Sequence, residues 1–171
     1  MRTVRDMVKN DEMWTPPEAT NPLIQYLDNS MTIWEMCPGS GQMVDYFVTR
    51  GYNVLWHSGK DALHWSPPEW WDVAVTNPPW SKKHLFLERC IKLDDPFALL
   101  LPVRTLGVRR CQIWLDDCDF LFLPKRIDYT GGNSPYEASL WVTRKLLPNR
   151  VVFAPPESMN AYVPAGVKFG P

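Results

Sequence analysis

The residues best placed to do chemistry are Asn77-Pro78-Pro79-Trp80. They follow Trp71–Thr76, a short apolar, β-branched run that reads as a buried strand closed by an Asn and two prolines. Neither proline carries a donor, so the backbone there is rich in acceptors. Asn77 adds a side-chain carbonyl, and Trp80 adds a flat apolar face. Such a group suits a planar ring with an exocyclic amino group: two acceptors meet two N–H donors while the indole stacks on the ring. The same four residues also make an ordinary strand end with a tight turn and a core tryptophan. The rest of the chain has to decide between these readings.

A second constellation lies upstream. Met31–Met36 reads as a strand, followed by Cys37-Pro38-Gly39-Ser40-Gly41-Gln42. Met43, Val44, Phe47 and Val48 then recur at helical spacing up to Arg50-Gly51. Glycines let backbone approach a ligand closely, and a helix start offers unpaired N–H groups. One Gly-x-Gly is weak, but Glu35 at the strand end is informative. A phosphate loop would avoid that carboxylate, whereas a ligand with a cationic amine would use it. No Lys-Ser/Thr follows, so this is not a nucleoside-triphosphate loop.

The strand Asn53–His57 ends without the acid that often takes ribose hydroxyls in nucleoside-binding α/β folds. The nearest acid, Asp61, suits either an adenine amino group or the cap of a turn. Thr15-Pro16-Pro17-Glu18 has the form of a capping box opening a helix through Leu23, Ile24, Tyr26 and Leu27. Thr15 is equally suited to face a ligand. After Trp80, Ser81 is placed to cap a helix burying Leu85, Phe86 and Leu87. Lys82 and Lys83 at its start oppose the helix dipole, which fits either phosphate contact or two solvated lysines.

The elements that must hold these groups alternate. Phe97–Pro102 is apolar throughout and reads as a strand buried on both faces. Arg104, Arg109 and Arg110 follow in a loop and helix, then a strand Phe120–Leu123 and Lys125-Arg126. The Gly-rich loop Thr130–Pro135 separates these from strands Ala138–Thr143 and Val151–Phe153. This order predicts an α/β fold: a doubly wound, Rossmann-like sheet, mostly parallel, with a late antiparallel hairpin. Ligands of such sheets sit at the carboxyl ends of the strands. The Glu35–Gly41 loop and the Asn77 turn would then share one crevice. Residues 1–153 read as one domain with an arm over 1–13, and 154–171 as a Pro/Gly-rich tail.

The 171 residues fit a single domain, and a 45% hydrophobic share is ordinary for a globular one. A net charge of −1 counts modestly against nucleic-acid binding by bulk charge and leaves a local basic patch open. The four cysteines, Cys37, Cys90, Cys111 and Cys118, form no Cys-x-x-Cys pair, and the three histidines complete no zinc spacing. They read as reduced thiols of a cytoplasmic protein. The N-terminal segment has no apolar core of a signal peptide, and no apolar run reaches the roughly 18–20 residues of a membrane span.

Taken together, the ordered motifs resemble the compact phage-type DNA N6-adenine methyltransferases. The resemblance runs from about Trp14 to Val142. It rests on Thr15-Pro16-Pro17, on Glu35 to Gly41, on Gly59-Lys60-Asp61 and on Asn77-Pro78-Pro79-Trp80, in that order. Phe86–Cys90, Phe97–Pro102, Leu123–Arg126 and Ser134-Pro135 with Leu140–Val142 also look like family counterparts.

The resemblance implies S-adenosylmethionine as cofactor. Glu35 would hold its amino group, with Cys37, Pro38, Gly39 and Gly41 shaping the loop. Thr15 would touch the methionine end, and His57 and Asp61 the nucleoside end. Asn77 and Pro78 would bind the target amine and Trp80 would stack on a flipped or unpaired base. Lys82, Lys83, Arg104, Arg109, Arg110 and Arg126 would meet the DNA. The chain departs from the pattern at His57, where an acid is usual, and at Pro38, where a small residue is commoner. With no large recognition domain, target choice would rest on loops 103–118 and 126–137 and the N-terminal arm.

Three alternatives stand beside this reading. Adenine in RNA, or a glutamine side chain in a protein, presents a comparable planar amine or amide. A non-catalytic subunit would keep the fold without the chemistry. An accessory or homo-oligomeric partner is compatible with any of them.

Overall fold

The computed structural model describes residues 15–129 and 137–160. The expected N-terminal arm, the whole loop Thr130–Pro135 and the end of the tail lie outside the described residues. Seven strands form one sheet: β1 Thr32–Glu35, β2 Asn53–Trp56, β3 Val73–Thr76, β4 Phe97–Pro102, β5 Asp119–Phe122, β6 Ser139–Arg144 and β7 Val151–Phe153. Their spatial order is β2-β1-β3-β4-β6-β5-β7. β1 pairs in parallel with β2 and β3, β3 with β4, and β5 with β7. β6 is antiparallel to both its neighbours. It is therefore the one strand of the sheet that runs against the rest, as the late hairpin predicted.

Every residue of β3 and β4 is buried, which is why these strands carry no polar alternation. Leu99, Leu100 and Leu101 at the sheet centre are fully excluded from solvent. Among the described residues four α-helices flank the sheet: α1 Pro17–Ile24, α2 Gln42–Val48, α3 Lys83–Leu93 and α4 Arg109–Leu115. α1 packs with α2, and α3 with α4. From β1 the chain passes to β2 on one side and then to β3 on the other. The sheet thus reverses its winding at β1, leaving a crevice at the carboxyl ends of β1 and β3.

The capping box is corrected. α1 starts at Pro17 with Pro16 as its cap residue, and no side chain bonds the helix start. It ends at Ile24, short of Tyr26 and Leu27, which lie in the turn that follows. Likewise Lys82, not Ser81, occupies the cap position of α3, behind a 3-10 turn Trp80–Lys82.

The body also extends beyond residue 153. A 3-10 turn Pro156–Met159 packs on α1, and Ala154 and Met159 are buried. Asn21 Nδ2 donates to the Met159 carbonyl at 3.2 Å. From the sheet itself, Trp141 of β6 donates its indole N–H to the Ala19 carbonyl of α1 at 2.8 Å.

Candidate active site

β1 ends on Glu35, which is 1% exposed. Its Oε1 accepts the Cys37 N–H at 2.9 Å, and the same N–H reaches Thr76 Oγ1 at 3.1 Å. The ends of β1 and β3 are therefore tied through one amide. Burial raises the Glu35 carboxyl to about 7, against the opposing hydrogen bonds of the Thr76 hydroxyl and the Cys37 amide. The loop beyond turns on Gly39 and Gly41, with φ of +54° and +87°. Left-handed backbone of this kind strains any residue with a Cβ. Gly41 donates to the Pro38 carbonyl at 2.7 Å and forms the cap position of α2. A small cavity of about 30 Å³ sits here, lined among others by Thr15, Glu35, Gly39, Gln42 and Asn77.

A cavity of about 700 Å³ adjoins it. Cys37, Pro38, Gly39 and Ser40 form one wall and Asn77, Pro79 and Lys82 another. His57 to Leu63 close the far end, and Met36, Ala62, Leu63 and Phe86 supply apolar surface. His57 meets Trp65 edge-on at 4.5 Å between ring centres. Asp61 lines the cavity and also caps its own turn. Oδ1 accepts the Leu63 N–H at 3.0 Å, and Oδ2 lies 3.0 Å from His64 Nδ1. The Leu63 amide first, then His64, hold its carboxyl below the usual range. The Cys37 thiol is pushed up to about 12 by burial and by the neighbouring Glu35, which favours its neutral form.

Asn77 is held at both ends of its amide. Nδ2 donates to Thr15 Oγ1 at 2.9 Å, and Oδ1 accepts from Trp80 Nε1 at 3.1 Å. Trp80 Nε1 also reaches the Leu100 carbonyl at 3.2 Å. The Asn77 carbonyl keeps one lone pair beyond that bond.

The expectation that Trp80 offers an open stacking face is corrected. Its side chain is buried, 4% exposed, and packs edge-on against Tyr129 at 5.5 Å. The physical reason is its N–H, which finds two acceptors only by turning into the core. Pro78 is buried beside it, while Pro79 reaches the large cavity.

The expected cations divide. Lys82 lines the large cavity, whereas Lys83 Nζ donates to the Trp80 carbonyl at 3.0 Å. Arg104 pairs with Glu137 at 3.0 Å. Arg109 and Arg110 on α4, and Arg126 after β5, are exposed. Residues not anticipated at the site are Ser40, Ser58, Lys60 and Phe86, which line the large cavity, and Tyr129 behind Trp80. Ser40, Lys60 and Phe86 stood inside recognised motifs; Tyr129 carried no local signal. Among the described residues no cluster of His, Cys, Asp and Glu is placed to hold a metal ion. None of their helices is long and apolar enough to cross a membrane.

No family model matches the sequence, and no curated protein sequence matches it. Solved structures do. One is a Listeria monocytogenes protein assigned to the class I S-adenosylmethionine-dependent methyltransferases. It superposes with a TM-score of 0.62 at 12% identity over 90% of this chain and 67% of that one. A second is the 23S rRNA methyltransferase ErmE, with a TM-score of 0.52 at 14% identity over 77% of this chain and 70% of that one. A third is a dimethyladenosine transferase from Plasmodium falciparum, with a TM-score of 0.50 at 16% identity over 77% and 61%. At these identities the likeness is one of architecture: the chain has the Rossmann-like fold of class I methyltransferases.

Proposed function

We propose that this chain transfers a methyl group from S-adenosylmethionine to the N6 amino group of adenine in DNA. The observation that carries the reading is the Asn77 carbonyl. It is fixed by Thr15 and Trp80 beside a cavity that begins at a buried carboxylate and a glycine loop. That cavity fits the cofactor in its donor set. Glu35 suits the amino group, Gly39 suits close passage of the cofactor with Gly41 turning the loop behind it, and Ala62, Leu63 and Phe86 suit an adenine ring. When bound, the cofactor supplies a methyl group already activated by its sulfonium.

The residues of the chain then have a positioning task. Asn77 Oδ1 and the Pro78 carbonyl accept the two N–H groups of the target amine and aim its nitrogen at the cavity. As that nitrogen gains positive charge, the same acceptors stabilise it. Fixing Oδ1 beforehand removes the cost of orienting it during the reaction. Lys82, Arg109, Arg110 and Arg126 would neutralise backbone phosphates.

RNA is the second reading. Two of the fold neighbours are named for methylating 23S rRNA and for forming dimethyladenosine. The test is methyl transfer from radiolabelled S-adenosylmethionine to duplex DNA, single-stranded DNA and RNA in parallel, with products digested to nucleosides. Label in N6-methyldeoxyadenosine supports the DNA reading, and label in N6-methyladenosine alone replaces it with the RNA one. No label in any nucleic acid, with cofactor bound, moves the reading to a protein substrate or to a missing partner subunit.

A further inference from the structure

A second cavity, of about 430 Å³, lies on the same rim of the sheet. Its walls come from the start of α1, from the segment after β5 and from the turn after β7. Pro16, Pro17, Pro124 and Pro156 line it with Met159, and Glu18, Lys125 and Asn160 stand in the same lining. Nothing in the proposed transfer uses it. We propose that this cavity holds a nucleotide flanking the target adenine on the same strand. The inference rests on the nucleic-acid reading above and names the part of the substrate that reads sequence.

Position is the first argument. Thr15 lines the small cavity and bonds Asn77, while the next two residues, Pro16 and Pro17, line the second cavity. The two sites thus meet along one short, proline-stiffened segment. A strand delivering a base to Asn77 has its neighbouring nucleotide within reach of that segment's other side.

Chemistry is the second. Prolines give rigid apolar surfaces that lose little freedom on binding, and a methionine sulfur packs well against an aromatic ring. Apolar walls with a few polar groups are the usual make-up of a small-molecule site, and the volume lies inside the customary range of about 300–1,000 Å³. Asn160 is exposed and carries both an amide donor and a carbonyl acceptor, as base-edge recognition needs.

Charge is the third. Lys125 Nζ lies 3.7 Å from Glu18 Oε2, and the Lys125 side chain is largely exposed. Such a loose surface pair is worth little, so the lysine is available to a phosphate. Arg126 follows it on the surface. A nucleotide, with a flat ring and an anionic linkage, matches walls and cations together.

The test uses the full chain with K125A, N160A and the double variant. Against oligonucleotides that differ only in the bases beside one adenine, the double variant should show KM raised about tenfold and its flanking-base preference flattened. Cofactor affinity should stay unchanged. K125A alone should lower the slope of log affinity against log salt by about one. Unchanged KM, preference and salt slope in an active double variant overturn the inference. Occupancy is also read without turnover, from the methyl carbon resonance of Met159 during titration with an adenine-containing trinucleotide. A shift that is lost when the flanking base is abasic supports the inference. No shift at saturation overturns it, whether the cavity takes the chain's own residues beyond 160 or a protein. Failure of every nucleic acid to accept methyl groups, with the Met159 shift present, would instead sink the transfer reading alone.

Discussion

Asn77 Nδ2 donates to the Thr15 hydroxyl at 2.9 Å, joining two motifs 62 residues apart. The bond leaves the Asn77 carbonyl to accept the Trp80 N–H, in a residue that lines the cavity. Asn77→Ala should therefore lower methyl transfer by at least about 100-fold, as removal of a fixed charge-stabilising group does elsewhere. Cofactor affinity, read by calorimetry, should barely move. Thr15→Val keeps the shape but removes the acceptor, and kcat should fall about tenfold because the amide can rotate. Thr15→Ser should restore it. A fully active Asn77→Ala enzyme would end this account of the site.

Glu35 makes the site sensitive to pH. Its carboxyl is raised from 4.5 to about 7 by burial. The folded chain without ligand therefore holds a proton there that the unfolded chain has lost. Between those values the contribution of Glu35 to stability falls as pH rises, and it levels off above about 7. Chemical denaturation across pH 4–8 reads this slope, and Glu35→Gln should remove it.

Cofactor binding should run the other way. An α-amino group stays protonated up to about 7.7–8.0, so it pairs best with an ionised Glu35. Affinity should rise from pH 5.5 towards pH 7, by up to about tenfold per unit, with release of a proton on binding. Calorimetry in two buffers of different ionisation enthalpy measures that proton. Equal proton release in wild type and Glu35→Gln would exclude Glu35 as the amine's partner.

Trp80→Phe tests the role of the buried indole N–H. Phenylalanine keeps most of the apolar contact with Tyr129 but leaves Asn77 Oδ1 and the Leu100 carbonyl each short of one donor. Stability to urea should drop by about 1–2 kcal/mol. Activity should drop further than stability predicts, since the Asn77 amide loses one of its two restraints. If Trp80 instead stacked on the base, Phe would be nearly as active as Trp.

Gly41→Ala isolates the backbone. At φ +87° an added Cβ meets nothing within 4 Å, so the cost is conformational alone. A loss of about 1 kcal/mol in thermal or chemical melts follows. Relaxation away from that φ shifts Gly39 and Ser40, which line the cavity, and should also weaken cofactor binding, whereas Gly51→Ala, at a similar φ of +85° but away from that loop, should cost stability only.

Much of the fold was legible before any coordinates. β3 and β4 announce themselves because strands buried on both faces have no polar positions. The Gly-rich loop before β6 marked a reversal in direction. The spatial order of strands was not legible, since local pattern says nothing of which neighbour a strand takes. Thr15 shows how the helix start was misread. Its hydroxyl fits a capping box by spacing, but Asn77 claims it from a distant part of the chain. Trp80 shows the same limit at the site: its type suits stacking on a base, and its two acceptors draw it into the core. Asp61 carried two readings, and the bonds to Leu63 and His64 supply the turn-capping one while leaving it at the cavity wall.

The Trp141–Ala19 hydrogen bond spans 122 residues. On a ribosome adding roughly 5–20 residues per second, the segment carrying Thr15 waits on the order of ten seconds for the strand that anchors the helix behind it. Until β6 emerges and inserts between β4 and β5, α1 lacks this anchor. A nascent chain stopped before Trp141 would hold Glu35 and Asn77 already synthesised, with α1 packed on α2 but not yet bonded to the sheet. Anchoring of the segment that carries Thr15 therefore follows the synthesis of β6, well after Glu35 and Asn77 have been made.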